Sequence, residues 1–439
     1  MQIIINPPSE QWDELCSRPL LENSKLEKDV KLIMDEVRQG GDKVLKEYSR
    51  RFDGVETINI KVSAEDIESS GKFLDERLKD AISLAAKNIE TFHSAQLPAG
   101  VSVTTMPGVD CSLRHLPIEK VGLYIPGGTA PLFSTVLMLG IPARIAGCRE
   151  VVLCTPPGQS GKIHPAILYA AHQSSITSVY MVGGAQAIAA MAWGTESIPR
   201  VDKIFGPGNQ WVTMAKQLAA SSGIAIDLPA GPSEVTVVAD RSVPPEFLAA
   251  DLLSQAEHGA DSQVMLVTTD EGVIEPVSIE IERMMNRLPR KDIAIKALEF
   301  CRMIVFRDYD VLMDFVNAYA PEHLILATDN YMELADKVLN AGSVFLGNFT
   351  PESAGDYASG TNHTLPTNGF ARAWSGVGTG AFMKRISFQE VSAGGLKVLG
   401  PMVEFMAQAE QLEAHRQAVK VRLDYLTNKN NSSWDQSIH

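Results

Sequence analysis

The chain of 439 residues is poor in cysteine and carries no excess of positive charge. Its five cysteines, Cys16, Cys111, Cys148, Cys154 and Cys301, form no C-x-x-C pair. An odd, sparse set in a cytosolic chain predicts mostly buried thiols with packing rather than catalytic roles. With 39 basic against 53 acidic residues the net charge is −14, which argues against nucleic-acid binding. No apolar run approaches the roughly eighteen residues of a membrane-crossing helix. The opening MQIIINPPSEQWDELC lacks the basic start and apolar stretch of a secretion signal, so no membrane and a cytoplasmic location are expected. Two motifs are also missing. No H-E-x-x-H occurs, which disfavours a zincin protease, and no intact G-x-G-x-x-G opens a helix.

What is present is an alternating α/β pattern. VGLYIPGG, EVVLCTPP, SVYMVGG and KIFGPGN are short apolar runs, each closing in Gly or Pro and separated by helical segments, as βαβ units with a parallel sheet require. After Ile226 the pattern restarts with SEVTVVAD, SQVMLVTTD, RMIVF, HLILAT and SVFLGN, the change falling near Pro229 to Ser233. The expected fold is therefore two Rossmann-like α/β domains with mainly parallel sheets, incomplete as dinucleotide folds, plus small helical arms. The boundaries read as a helical N-terminal arm over 1–23 and an α/β domain over 24–123 plus 234–377. A second α/β domain covers 124–233, and a C-terminal arm covers 378–439. Within the first of these, 26–49 predicts two amphipathic helices split at Gly40–Gly41, and 75–93 predicts another helix. VEFMAQAEQLEAHRQAVKVRLDYL predicts one long amphipathic helix that needs a partner surface. The tail NKNNSSWDQSIH reads as frayed.

Polar residues cluster at the edges of the apolar runs. Gln255 and His258 stand three apart at the end of a predicted helix, on one face; they suit a metal, or simply a capped helix end. Glu322 and His323 follow Pro321 at the start of a strand. An imidazole there can act as a base and a carboxylate can activate water, provided a turn brings both to one side. A loop with glycines at 347, 355 and 360 carries Glu352, Asp356, Tyr357, Asn362 and His363, where Asp356 can ligate a metal, orient an imidazole or close an Asx-turn. Glu410 and His415 lie in the C-terminal helix, a usual place for solvated side chains. The glycines at 127, 128, 183, 184, 206 and 208 close strands of the first set and predict close approach of phosphate or ribose.

Taken together, VGLYIPGGTAPLFSTVLMLGIPA, MVGGAQAIAA, KIFGPGNQWVTMAK, DLPAGPSEV, DLLSQAEHGADSQV, APEHL and the 342–367 loop closely resemble the histidinol dehydrogenase family, from about residue 25 to the C-terminal helix. The resemblance implies oxidation of L-histidinol to L-histidine through the aldehyde, with two NAD+ used in turn. It implies one Zn2+ per subunit on Gln255, His258, Asp356 and His415. It makes His323 the base and Glu322 the residue that activates water. Ser233, Gln255, His258, His323, Asp356, Glu410 and His415 become substrate contacts, with His363 a weaker one, and Tyr124, Gln186 and Asn209 become NAD contacts. It implies a homodimer whose exchanged C-terminal helix completes each site, with cysteines idle. A zinc hydrolase would leave the glycine-rich strand ends without a use. A two-lobed solute-binding protein fits two α/β domains, but calls for an export signal.

Overall fold

The computed structural model describes residues 1–18, 23–56, 59–127, 130–228 and 231–431. Gly128 and Pro229–Ala230, at two of the expected loops, lie outside them, as does the tail beyond 431. The architecture is mixed α/β with two parallel sheets, as the strand pattern predicts. By internal contacts the chain forms two compact units, Met1–Leu97 with Pro117–Phe382, and Pro98–Leu116 with Met383–His439.

The first unit holds both parallel sheets. One runs, edge to edge, Gln2–Ile5, Arg302–Val305, Gln263–Thr268, Glu234–Ala239, His323–Ala327 and Ser343–Leu346. Every residue of Glu234–Ala239, Gln263–Thr268 and His323–Ala327 is buried, as expected of parallel strands covered on both faces. The other sheet runs Ser178–Met181, Glu150–Thr155, Lys120–Tyr124, Lys203–Phe205 and Ala225–Ile226. The edge strand Gln2–Ile5 aside, in both sheets the chain lays down a central strand, adds two on one side and then crosses to the other. Each therefore has a switch point, between Glu234–Ala239 and His323–Ala327 in the first sheet and between Lys120–Tyr124 and Lys203–Phe205 in the second.

Several expected assignments change. The N-terminal arm is not wholly helical: Gln2–Ile5 is an edge strand paired with Arg302–Val305, followed by a single helical turn at Trp12–Leu15. Part of the region 24–97 packs against the second sheet. The stripe Val30, Ile33, Met34 and Val37 of the helix Asn23–Tyr48 packs with Ile188, Met191 and Val212, which line the second sheet. That helix kinks at the expected place, where Gly41 takes φ 54°, ψ −140° and Asp42 N–H donates to Glu196 at 2.8 Å. The helix expected over 75–93 runs Glu76–Ser94, with the Asp75 side chain capping Arg77 N–H.

The second unit pairs Val101–Met106 with Val109–Pro117 and adds Met383–Val391 to make a three-stranded sheet. Pro98–Leu116 thus joins the C-terminal region, against expectation. The single long C-terminal helix is in fact two, Ala393–Ala409 and Glu413–Asn431, with Gln411 in the left-handed region at φ 59°. No helix among the described residues is long and apolar enough to cross a membrane.

Candidate active site

The polar clusters gather at the amino edge of the first sheet, beside its switch point. The helix Tyr309–Tyr319 ends on Ala320, whose left-handed backbone (φ 53°) turns the chain before Pro321. That turn removes the expected difficulty with adjacent side chains in an extended segment. Glu322 Oε2 and His323 Nδ1 come to within 3.6 Å of each other, and both residues are buried. The next strand over begins at Glu234, directly after Ser233. The peptide of Glu234 holds the pair: its N–H donates to Glu322 Oε2 at 2.8 Å and its carbonyl accepts from His323 Nδ1 at 3.0 Å. In its neutral form a ring that donates from Nδ1 keeps its lone pair on Nε2, which has no hydrogen-bond partner among the described residues and lies 3.6 Å from Asp356 Oδ1.

The helix Glu352–Tyr357 folds back from the far end of the strand Ser343–Leu346 to deliver two more carboxylates. Glu352 Oε1 lies 3.8 Å from His323 Nδ1, and its Oε2 is buried without a hydrogen-bond partner among the described residues. Gln255, fully buried in the last turn of the helix Pro245–Ala256, donates its amide to Glu352 and accepts from Glu234 N–H at 2.9 Å. His258 falls just past that helix, its N–H returning to Gln255 O at 3.2 Å. Gln255 and His258 are thus close, though His258 stands beyond the helix rather than on its face.

Burial and crowding of like charge set the electrostatics. Burial pushes the Glu322 carboxyl up to about 8, opposed by the charge of His323. Glu352 is raised chiefly by burial, again against His323, with Asp356, Glu322 and Asp251 adding to the shift. Burial disfavours a charged His323 ring, but Glu352, Glu322 and Asp356 together carry its pKa well above the ordinary value. Asp356 is also penalised by burial, yet the neighbouring His323 ring, with His363 and His258, holds it down. His258 is lowered by the atoms packed about its ring, with Asp356 opposing.

One ligand atom each from His258, Glu352 and Asp356 lies within 4.8 Å of the others. The set offers nitrogen and oxygen donors without thiolate, sits where negative charge is in excess, and contains the orphaned Glu352 Oε2. A divalent cation fits all three features. Glu352 is a member that sequence reasoning left without a role. Its signal, a carboxylate four residues before Asp356 on a helical turn, was available.

The cysteines fit no catalytic part: burial pushes the Cys148 thiol up to about 11, the Cys301 thiol up to about 12 and the Cys154 thiol up as well. His363 and Asn362 point elsewhere. His363 binds Asp356 O at 2.9 Å and Thr135 Oγ1 at 3.1 Å, and Asn362 donates to Met138 O at 2.5 Å, so both tie their loop to the helix Phe133–Ala146. Tyr357 is exposed. Glu410 and His415 belong to the second unit, flanking the break between its two helices.

Tyr124, Gln186 and Asn209 stand at the carboxyl edge of the second sheet. Tyr124 ends its central strand, and the phenol accepts from Gly184 N–H at 3.0 Å. Gln186 is buried in the first turn of the helix Gly184–Trp193. Asn209 caps the helix Gln210–Ser221, accepting from Trp211 and Val212 N–H at 3.0 and 3.2 Å. Tyr124 and Asn209 flank the switch point, where a parallel sheet leaves a crevice for a ligand. The loop before Asn209 is held from below. Lys216 Nζ donates to Gly206 O at 2.8 Å and pairs with Asp227 at 2.5 Å, and Asp227 accepts from Gly206 N–H at 2.7 Å. Gly206 has φ 123°, and a Cβ there would run into the Tyr124 carbonyl.

A family model described as histidinol dehydrogenase matches residues 16–423. The histidinol dehydrogenase of Bacteroides thetaiotaomicron is 57% identical over 426 residues, 97% of this chain and 100% of that protein. That of Salmonella typhimurium is 51% identical over 420 residues, covering 95% and 96%. The crystal structure of histidinol dehydrogenase from Elizabethkingia anophelis superposes with a TM-score of 0.94 at 52% identity, covering 97% of this chain and 99% of that one.

Proposed function

Because the chain belongs to the histidinol dehydrogenase family, we propose that it oxidises L-histidinol to L-histidine through L-histidinaldehyde, in the cytoplasm and in histidine biosynthesis. The observation that carries this reading is the Glu322–His323 pair, pinned to one peptide beside the donor group His258, Glu352 and Asp356.

Zinc, one per subunit, would be held by Gln255, His258 and Asp356 with His415, Glu352 standing beside them as a further carboxylate donor, and when bound it would orient and polarise the nitrogen and oxygen atoms of the substrate. NAD+, which takes two electrons in each step, would lie along Tyr124, Gln186 and Asn209, making the region 124–233 the cofactor domain. The remaining work falls to the protein's own groups. His323 accepts the hydroxyl proton at Nε2 in the first oxidation, while its Nδ1–H stays on the Glu234 carbonyl. Glu322 takes a proton from water in the second, and a carboxyl raised to about 8 exchanges protons readily near neutrality. Ser233, next to that peptide, contacts substrate. Glu410 and His415 reach the site from the other copy of a homodimer; Val398, Met402, Phe405 and Met406 of the same region expose the apolar surface such an assembly would cover.

The test is the yield of NADH per L-histidinol consumed, before and after chelation. A ratio of about two, lost on chelation and restored by zinc, is the expected result. A ratio of about one would remove the water step from Glu322, and no NADH would overturn the assignment.

A further inference from the structure

Arg18 and Glu234 form an ion pair whose side chains are 5% and 0% exposed, deep for charged groups. Each guanidinium nitrogen makes a hydrogen bond. Nε donates to Glu234 Oε1 at 2.9 Å and Nη2 to Oε2 at 2.7 Å, the two-pronged geometry a carboxylate best accepts. Arg18 also donates to the carbonyls of Cys16 and Tyr319 at 2.8 and 2.9 Å, and its plane lies 3.7 Å from the centre of the Tyr319 ring. The remaining partner of Glu234 is the N–H of Asn368, at 2.8 Å from Oε1. Nothing in the proposed reaction uses either charge.

Burying two charges is costly, and such a pair is as a rule no better for stability than apolar residues of the same size. The position of this one is informative. The Glu234 side chain is clamped by Arg18, and the Glu234 main chain clamps Glu322 through its N–H and His323 through its carbonyl. Gln255 accepts from the same N–H. A single residue therefore joins the N-terminal segment to three side chains of the site. We propose that Arg18 is a positioning residue for the Glu322–His323 pair: by neutralising and immobilising the Glu234 side chain it fixes the peptide on which both groups hang. The inference rests on the proposed dehydrogenase reading. Arg18 reaches the reacting atoms only through Glu234, so its loss degrades the orientation of Glu322 and His323 while leaving His258 and Asp356, which the Glu234 peptide does not hold, to bind metal.

The experiment compares the full-length wild-type, Arg18→Met and Arg18→Lys proteins, each loaded with zinc, at 25 °C. Lysine keeps the charge but cannot grip a carboxylate with two prongs. Both variants are expected to lose about 10–100-fold in kcat, while KM for L-histidinol and NAD+ stays within about twofold and zinc content is unchanged. The yield of NADH per histidinol should also fall from about two toward one as aldehyde escapes, because Glu322 is held by the same peptide. Turnover within about twofold of wild type in either folded variant would overturn the proposal. So would a loss that only tracks the fraction of folded protein, or failure of both variants to fold. Absence of NADH from the wild-type protein would instead overturn the dehydrogenase reading, which separates the two failures.

Discussion

At the scale of single residues, the site is a concentration of carboxylates that water would normally keep apart. Asp251 extends that concentration one turn before Gln255, and burial pushes its carboxyl up to about 7 from the ordinary 3.8. The folded chain therefore holds a proton that the unfolded chain releases at lower pH. Stability from this group is present below pH 4, declines as pH rises from about 4 to about 7, and stays reduced above it. Asp251→Asn removes that decline. Denaturant titration should find the variant level with wild type near pH 4 and ahead by about 1–3 kcal/mol at pH 8. An equal offset at both pH values would mean that the Asp251 carboxyl is not raised in the folded chain. Residue identity alone makes Gln255, His258, Glu322, His323 and Asp356 visible as polar breaks at the edges of apolar runs. The Arg18–Glu234 pair is not visible in that way, since its members are 216 positions apart and each reads as an ordinary surface charge.

At the scale of elements, legibility follows burial. The strands Glu234–Ala239, Gln263–Thr268 and His323–Ala327 are wholly buried, and each is a continuous apolar or small-residue run that stands out from its surroundings. Met383–Val391 is exposed for almost its whole length, so its side chains carry no inward stripe, and its partner strand Val109–Pro117 is remote in sequence. That strand reads as a polar stretch. The break at Glu410–Leu412 is hidden for another reason: Gln411 adopts a left-handed backbone without the glycine that would announce it. Gly41 does announce its kink, and its lack of a side chain matters twice, for the backbone angle and for the room it leaves to the Glu196 carboxylate. Gly41→Ala should cost about 1–3 kcal/mol in denaturant unfolding. A cost below about 0.5 kcal/mol would place the strain elsewhere.

At the scale of the whole molecule, one copy of the chain divides into a unit bearing Glu322 and His323 and a unit bearing Glu410 and His415. If each site draws on two copies, inactive Glu322→Gln and inactive His415→Asn chains should complement after co-refolding. Random pairing leaves about one site in four intact, so activity should return to about a quarter of wild type. Mixed material as inactive as its parents would place each site within one chain. The N-terminal segment bears on a different matter, the order of events in time. Gln2–Ile5 closes the first sheet against Arg302–Val305, and Arg18 closes the site against Glu234. These residues are made long before their partners, and contacts between such distant positions form slowly. Until then Arg302–Val305 is an open edge able to recruit a foreign strand. Activity therefore requires that the earliest-made residues find partners made much later, and until Gln2–Ile5 has docked a newly made chain carries that exposed edge.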